Sequence, residues 1–261
     1  MTDLRDFIAF AEQLAEAGRA TVLRFSASAS SAENKATDGG FDPVTEADRE
    51  TERTIRALIE ARFPDHGIEG EEFGRKPADG RYSWSLDPID GTRAFICGLP
   101  SWTILIALLD EGRPIVGVID VPRLGERYSG CGQLAELITA SGRAPLRTSA
   151  CRALAEARFS TTDAYLFSGR ERDGFERVRA EARVTRYGLD AYGYARVAAG
   201  TLDLVIESGL APHDLNALVP VVTAAGGVVT DWQGGDDLSQ GRLVAAATVE
   251  LAQEAVARLA I

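Results

Sequence analysis

The chain has 261 residues, 45% of them hydrophobic, enough for one large core or two closely joined lobes. Its formal net charge of −11 argues against a nucleic-acid groove or an anionic membrane as the main partner, so an anionic substrate would need a cation to mediate contact. Cys97, Cys131 and Cys151 form no Cys-x-x-Cys pair, which argues against a zinc ribbon or disulfide framework and fits a reducing cytoplasm.

At the N-terminus Asp3, Arg5 and Asp6 interrupt any signal-peptide apolar region. The longest apolar run, ILIALL, is far below the ~18 residues a membrane helix needs, so a cytoplasmic protein without a membrane partner is expected. Apolar residues from Leu4 to Phe25 recur at helical spacing and predict an amphipathic helix. The polar stretch SASASSAENKATDGG reads as loop. Thr45 then opens a helix, TEADRETERTIRALIEARF, which Pro64 stops. Strands are predicted over 82–87, 102–109, 114–121 and 126–129, separated by turns that favour antiparallel hairpins.

The second half mixes the same elements. Helices are expected near 163–182, over DAYGYARVAAG, from Asp214 to about Ala225, and near 249–260. Strands are expected at LDLVIES, GVVTDW and LVAAAT. Helices and strands in blocks predict α+β layers and disfavour a regular βαβ alternation. The expected organisation is a single unit over 1–261, with an N-terminal lobe over 1–145 and a C-terminal lobe over 146–261.

Within WSLDPIDGTRAF an apolar run leads straight into Asp87 and Asp90, with Pro88 and Ile89 between them. A solvated turn needs only one such acid. Further acids stand at Asp42 and Asp48 in DPVTEAD, at Glu71 and Glu72 in GEE, and at Asp214 after APH. Carboxylates without nearby Cys or His favour a hard cation such as Mg²⁺ over zinc. In such a turn Asp87 can bridge two ions while Asp90 holds one, and ions ~3.5–4 Å apart would activate a water in a phosphoryl displacement. Gly91 and Thr92 are expected to begin a short helix whose free N–H groups can receive a phosphate.

Each acid also has a plain structural reading. Thr45 with Asp48 fits a capping box. Glu71 with Glu72 fits a solvated charge pair, Asp214 and Asp190 fit helix N-caps, and Asp87 with Asp90 fits an Asx-turn. His66 and His213 read as packed or surface residues. Only the set in this order favours chemistry.

That set resembles the inositol monophosphatase superfamily of Mg²⁺-dependent phosphatases, over nearly the whole chain from the first helix through AGGVVTDW. The resemblance implies an α+β fold, a layered αβαβα sandwich, usually assembled as a homodimer. It implies two or three Mg²⁺ per site. Glu71, Asp87, the Ile89 carbonyl, Asp90 and Asp214 would be ligands. Asp48 and Thr92, with Glu71, would be the catalytic set orienting the attacking water, which attacks phosphorus directly without a phosphoenzyme. Asp90, Gly91, Thr92, Asp190 and Glu207 would contact the substrate.

Within the superfamily, DPIDGTRAFICGLPSW, FPDHGIEGEEFG and RYGLDAYGYARVAAGTLDLVIESGLAPHD are most similar to the bacterial histidinol-phosphate phosphatase branch. Leu189 and His213 depart from that branch, which tends to have Gly and Tyr there, as does Thr103-Ile104. Asp190 and Glu207 would suit the ammonium and imidazole of L-histidinol phosphate, placing the chain in histidine biosynthesis. The alternatives are an inositol-1-phosphate or broad sugar monophosphatase, and a catalytically silent regulatory homologue. A Rossmann enzyme is disfavoured, because no Gly-x-Gly-x-x-Gly follows a strand.

Overall fold

Helix α1 (Leu4–Val22) buries Phe7, Ile8, Ala11, Leu14, Ala15, Gly18 and Val22, the stripe its apolar spacing predicts. Its neighbour α2 (Glu46–Arg62) begins where Thr45 caps it and ends at Phe63, before Pro64. The two helices approach closely at Gly18, where a Cβ would stand 3.1 Å from Ile55 Cδ1. The computed structural model of the protein describes residues 4–25, 33–34 and 43–260. Asp42 lies outside the described residues, as does most of the predicted polar loop. Within that stretch, β1 (Glu33–Asn34) pairs with β2 (Pro43–Val44), so it is not loop throughout.

The first half continues with β3 (Gly67–Gly70), β4 (Gly74–Lys76), β5 (Tyr82–Asp90), α3 (Thr92–Ile96), β6 (Thr103–Asp110), β7 (Arg113–Val121), β8 (Glu126–Cys131), β9 (Leu134–Thr139) and β10 (Gly142–Pro145). They form an eight-stranded sheet in the order β10-β9-β8-β7-β6-β5-β3-β4. The predicted strands pair as antiparallel neighbours from β5 to β8. Sequence reading missed β3, which runs parallel to β5 with Gly70 opposite Leu86.

The second half contains β11 (Arg158–Thr161), α4 (Gly169–Glu181), β12 (Val184–Tyr187), α5 (Ala191–Ala198), β13 (Leu204–Glu207), α6 (Pro212–Leu215), α7 (Leu218–Ala224), β14 (Val228–Thr230), β15 (Leu243–Ala246) and α8 (Val249–Leu259). A five-stranded sheet follows the order β12-β11-β13-β15-β14. Two predicted helices differ. The stretch near 163–182 is a 3-10 turn followed by α4, and the helix expected from Asp214 starts at Pro212 and breaks before α7. Proline at the first helical position has no N–H to lose, which explains the earlier start.

Period-two burial along the strands then stacks the layers. Ile104, Ile106 and Leu108 of β6 face α1 and α2, whereas Leu105 and Ala107 join a core with α5, α7 and the second sheet. On β13, Val205 faces that same middle core, while Leu204 and Ile206 face α4 and α8. The result is helices, sheet, helices, sheet, helices, the expected αβαβα order. Glycines set the spacing of the first sheet to the middle layer. Gly117 and Gly130 are cross-strand partners, and a Cβ on them would meet Ala217 O at 2.2 Å and Pro220 O at 2.5 Å. Among the described residues no helix is long and apolar enough to cross a membrane.

Candidate active site

The parallel pair β3 and β5 puts two chain segments at one sheet end. The Glu71 N–H donates to the Leu86 carbonyl at 3.2 Å, so Glu71 leaves the sheet beside the residue before Asp87. The β5–β6 register shifts between Asp87 and Asp90, which lifts Pro88 and Ile89 out of the ladder. Asp87, 2% exposed, accepts the Ile89 N–H at 3.0 Å, the local turn its spacing allows. Asp90 accepts the Thr103 hydroxyl at 3.2 Å and the Ala191 N–H at 2.8 Å, tying β6 and α5 to one carboxylate.

Asp214 arrives from the other half. It is the third residue of α6 and not its N-cap, and its Oδ2 accepts the Ala211 N–H at 2.7 Å. Asn216, which the sequence reading passed over, donates to Ser85 at 3.1 Å and so docks this short helix on β5 two residues before Asp87. Carboxylate oxygens of Asp87, Asp90 and Asp214 all lie within 4.8 Å of one another. His213 Nε2 stands 3.6 Å from Asp214 Oδ1, so this histidine borders the cluster.

Burial drives the electrostatics. Asp87 is held well above the usual carboxylate range by desolvation, with Glu71, Asp90, Asp214 and Asp48 adding repulsion. Desolvation also raises Asp90, helped by Asp190 and Asp214. Asp214 is raised by burial against the pull of His213. The charged groups that act most strongly on Asp87 are all acidic, a crowding that a bound cation would relieve. All donors are oxygen, which fits a hard ion such as Mg²⁺.

Asp48 fulfils its structural reading as a capping residue. Its Oδ2 accepts the Thr45 N–H at 2.8 Å and hydroxyl at 2.6 Å, completing a capping box. Burial nevertheless pushes it up to about 6, with Glu71 contributing. Gly91 begins α3 with φ 79°, and the Thr92 hydroxyl donates to the Ile89 carbonyl at 3.0 Å.

Asp190 occupies the N-cap position of α5, yet its side chain makes no capping bond. It lies against Gly91, where a Cβ would be 2.9 Å from Asp190 Oδ2. Burial lifts it to about 6, opposed by Arg93. Glu207, 3% exposed, is more committed: it accepts from the Thr162 N–H at 2.8 Å, from the Thr162 hydroxyl, and from Tyr194 at 3.1 Å. Burial raises it to about 7.

Acids gathered at the C-terminal ends of sheet strands inside an αβαβα sandwich define a class of metal-dependent phosphatases. The model of the inositol monophosphatase family matches residues 3–260, and the chain belongs to that family. It is 43% identical over 210 residues to the chloroplastic bifunctional phosphatase IMPL2 of Arabidopsis thaliana, covering 80% of this chain and 60% of that longer protein. It is 35% identical to a histidinol-phosphatase of Chlorobaculum parvum, over 83% of each chain. A solved inositol monophosphatase from Zymomonas mobilis superposes with a TM-score of 0.86 at 36% identity, covering 100% of both chains.

Proposed function

We propose that the protein is a Mg²⁺-dependent phosphate monoester hydrolase whose substrate is L-histidinol phosphate. The convergence of Asp87, Asp90 and Asp214 within 4.8 Å carries the reaction class. Glu71, Asp87, Asp90, Asp214 and the Ile89 carbonyl would hold two or three ions. Bound there, Mg²⁺ supplies Lewis-acid stabilisation of charge on the phosphoryl group. The chain's own residues do the rest. Asp48, held near 6, is ionised at neutral pH and still basic enough to take a proton from water. Thr92 orients that water with it, and the Gly91 and Thr92 N–H groups seat the phosphate.

The substrate preference rests on Asp190, which no capping bond occupies, with Glu207 behind it. Two acids there suit an ammonium-bearing alcohol, in keeping with the histidinol-phosphatase relative. An inositol-1-phosphate or broad sugar monophosphatase is the second reading, favoured by the full-length match to the Zymomonas mobilis structure. We further infer a cytoplasmic homodimer in histidine biosynthesis, with residues 1–145 supplying most metal ligands and 146–261 completing the site. The test is phosphate release from histidinol phosphate, inositol 1-phosphate and fructose 1,6-bisphosphate, each with Mg²⁺ and with a chelator. Highest kcat/KM on histidinol phosphate, lost on chelation, is expected. Preference for inositol 1-phosphate would select the second reading, and no turnover on any substrate would select a silent homologue.

A further inference from the structure

The turn that carries Glu71 is held by a buried acid of α2. Glu52 lies on α2 one turn after Asp48 and is 0% exposed. Its Oε2 accepts the Glu72 N–H at 2.7 Å, and its Oε1 accepts the Phe73 N–H at 3.2 Å. Oε1 also accepts from Arg56 Nε at 2.6 Å, one turn further along the helix, and Arg56 continues to the Gly74 carbonyl. Gly70 completes the fit from the opposite side. A Cβ there would stand 2.0 Å from Glu52 Oε1 and 2.8 Å from Oε2, so only glycine lets the carboxylate lie across the turn.

Burying a carboxylate is costly unless it is fully bonded, and charge-assisted bonds to backbone N–H groups are among the stronger kind. Here those bonds fix a segment with no helix or strand of its own between Gly70 and Gly74. Glu71 is flanked by Gly70, packed on Glu52, and by Glu72, bonded to it. Both flanks are therefore referenced to the helix that carries Asp48.

We propose that Glu52 is a positioning residue for the metal site: by binding the Glu72 and Phe73 amides it keeps Glu71 in register with Asp48 and Asp87 before an ion arrives. The proposal rests on the reading of Glu71 as a metal ligand. Without the clamp, ion binding must also order the turn, and that cost appears as weaker ion affinity while the chemistry at saturation is largely preserved.

The experiment is isothermal titration of Mg²⁺ into the full-length wild type, Glu52→Gln, Gly70→Ala and Glu12→Gln. Glutamine retains an acceptor for one amide but loses the charge facing Arg56, while Gly70→Ala displaces the same carboxylate sterically. Glu12 is a comparison, a buried α1 carboxylate bonded to Ser129 and Arg143. Glu52→Gln and Gly70→Ala are expected to weaken Mg²⁺ binding about 10- to 100-fold, with a much smaller change in kcat at saturating Mg²⁺. Glu12→Gln is expected to melt earlier and bind Mg²⁺ as the wild type does. Wild-type affinity in Glu52→Gln, or in Gly70→Ala where Glu52→Gln does not fold, overturns the proposal. An equal loss in Glu12→Gln overturns it too, since the effect is then general destabilisation. A wild type that binds no Mg²⁺ overturns the metal reading along with it.

Discussion

The Asp90 carboxylate accepts the Ala191 N–H across 101 residues of sequence, so helix α5 is capped from the first sheet and not by Asp190. Asp190 itself sits at φ 49°, a region side chains rarely adopt, and such strain is typical of residues at functional sites. Asp190→Asn should therefore leave the melting temperature nearly unchanged. A bond to a charged group is worth ~1.5–3 kcal/mol, roughly a 10- to 150-fold effect. That loss should appear in kcat/KM for histidinol phosphate and be far smaller for an uncharged phosphate ester. Equal losses on both substrates would remove the ammonium contact.

Thr45 connects helix stability to the site. Thr45→Ala should cost ~0.5–2 kcal/mol as a lost cap. It also removes a hydroxyl bond that holds the Asp48 carboxylate down against burial, so Asp48 should move above about 6. Activity that requires ionised Asp48 should then lose its acid limb at higher pH than in the wild type. Thr45→Ser should restore both properties; a pH profile unmoved in Thr45→Ala would separate Asp48 from the rate.

Glu207 makes the metal-free protein sensitive to pH. It keeps its proton to about 7 when folded but releases it near its ordinary 4.5 when unfolded. Its contribution is thus fully present below about 4.5 and lost as pH rises through about 7. Thermal melts between about pH 5 and about pH 8 should show that decline, a few kcal/mol at most from this group. Glu207→Gln, which can still accept from Thr162, should flatten it; an unchanged slope in that variant would assign the decline to other acids.

Gly117→Ala should be among the most damaging small substitutions in the chain. Its methyl would meet a backbone oxygen at 2.2 Å, and backbone has no rotamer by which to withdraw. A loss of ~1–3 kcal/mol or more is expected from overpacking, measured by chemical denaturation. Gly112→Ala tests the contrast: it is also glycine, but at φ 81° and with open space around it, so only backbone strain is felt.

What the sequence disclosed was local or periodic. Helical spacing located α1, and the Thr45–Asp48 pair located the cap of α2. The Asp87–Asp90 pair was conspicuous because a turn does not need two acids. Relationships between distant segments were hidden. Nothing in GIEG announces a strand parallel to β5, because its pairing is made by backbone groups common to all residues. Glu52 was indistinguishable from the other charges of its helix, since its partners are amides twenty and more positions away. Asp190 was correctly placed at a helix start, but the bond that displaces it from capping comes from Asp90.

The bare facing of Gly117 and Gly130 against residues 217–221 ties the layer spacing to the site. Main-chain atoms approach main-chain atoms there, so at these two positions no side chain intervenes between the first sheet and the middle layer. Asp214 precedes that contact on the same run of chain, and Asn216 pins the run to Ser85. The spacing between Asp214 and Asp87 therefore depends in part on two positions where any side chain would force the layers apart, so a methyl added at Gly117 or Gly130 would reach the site from a distance.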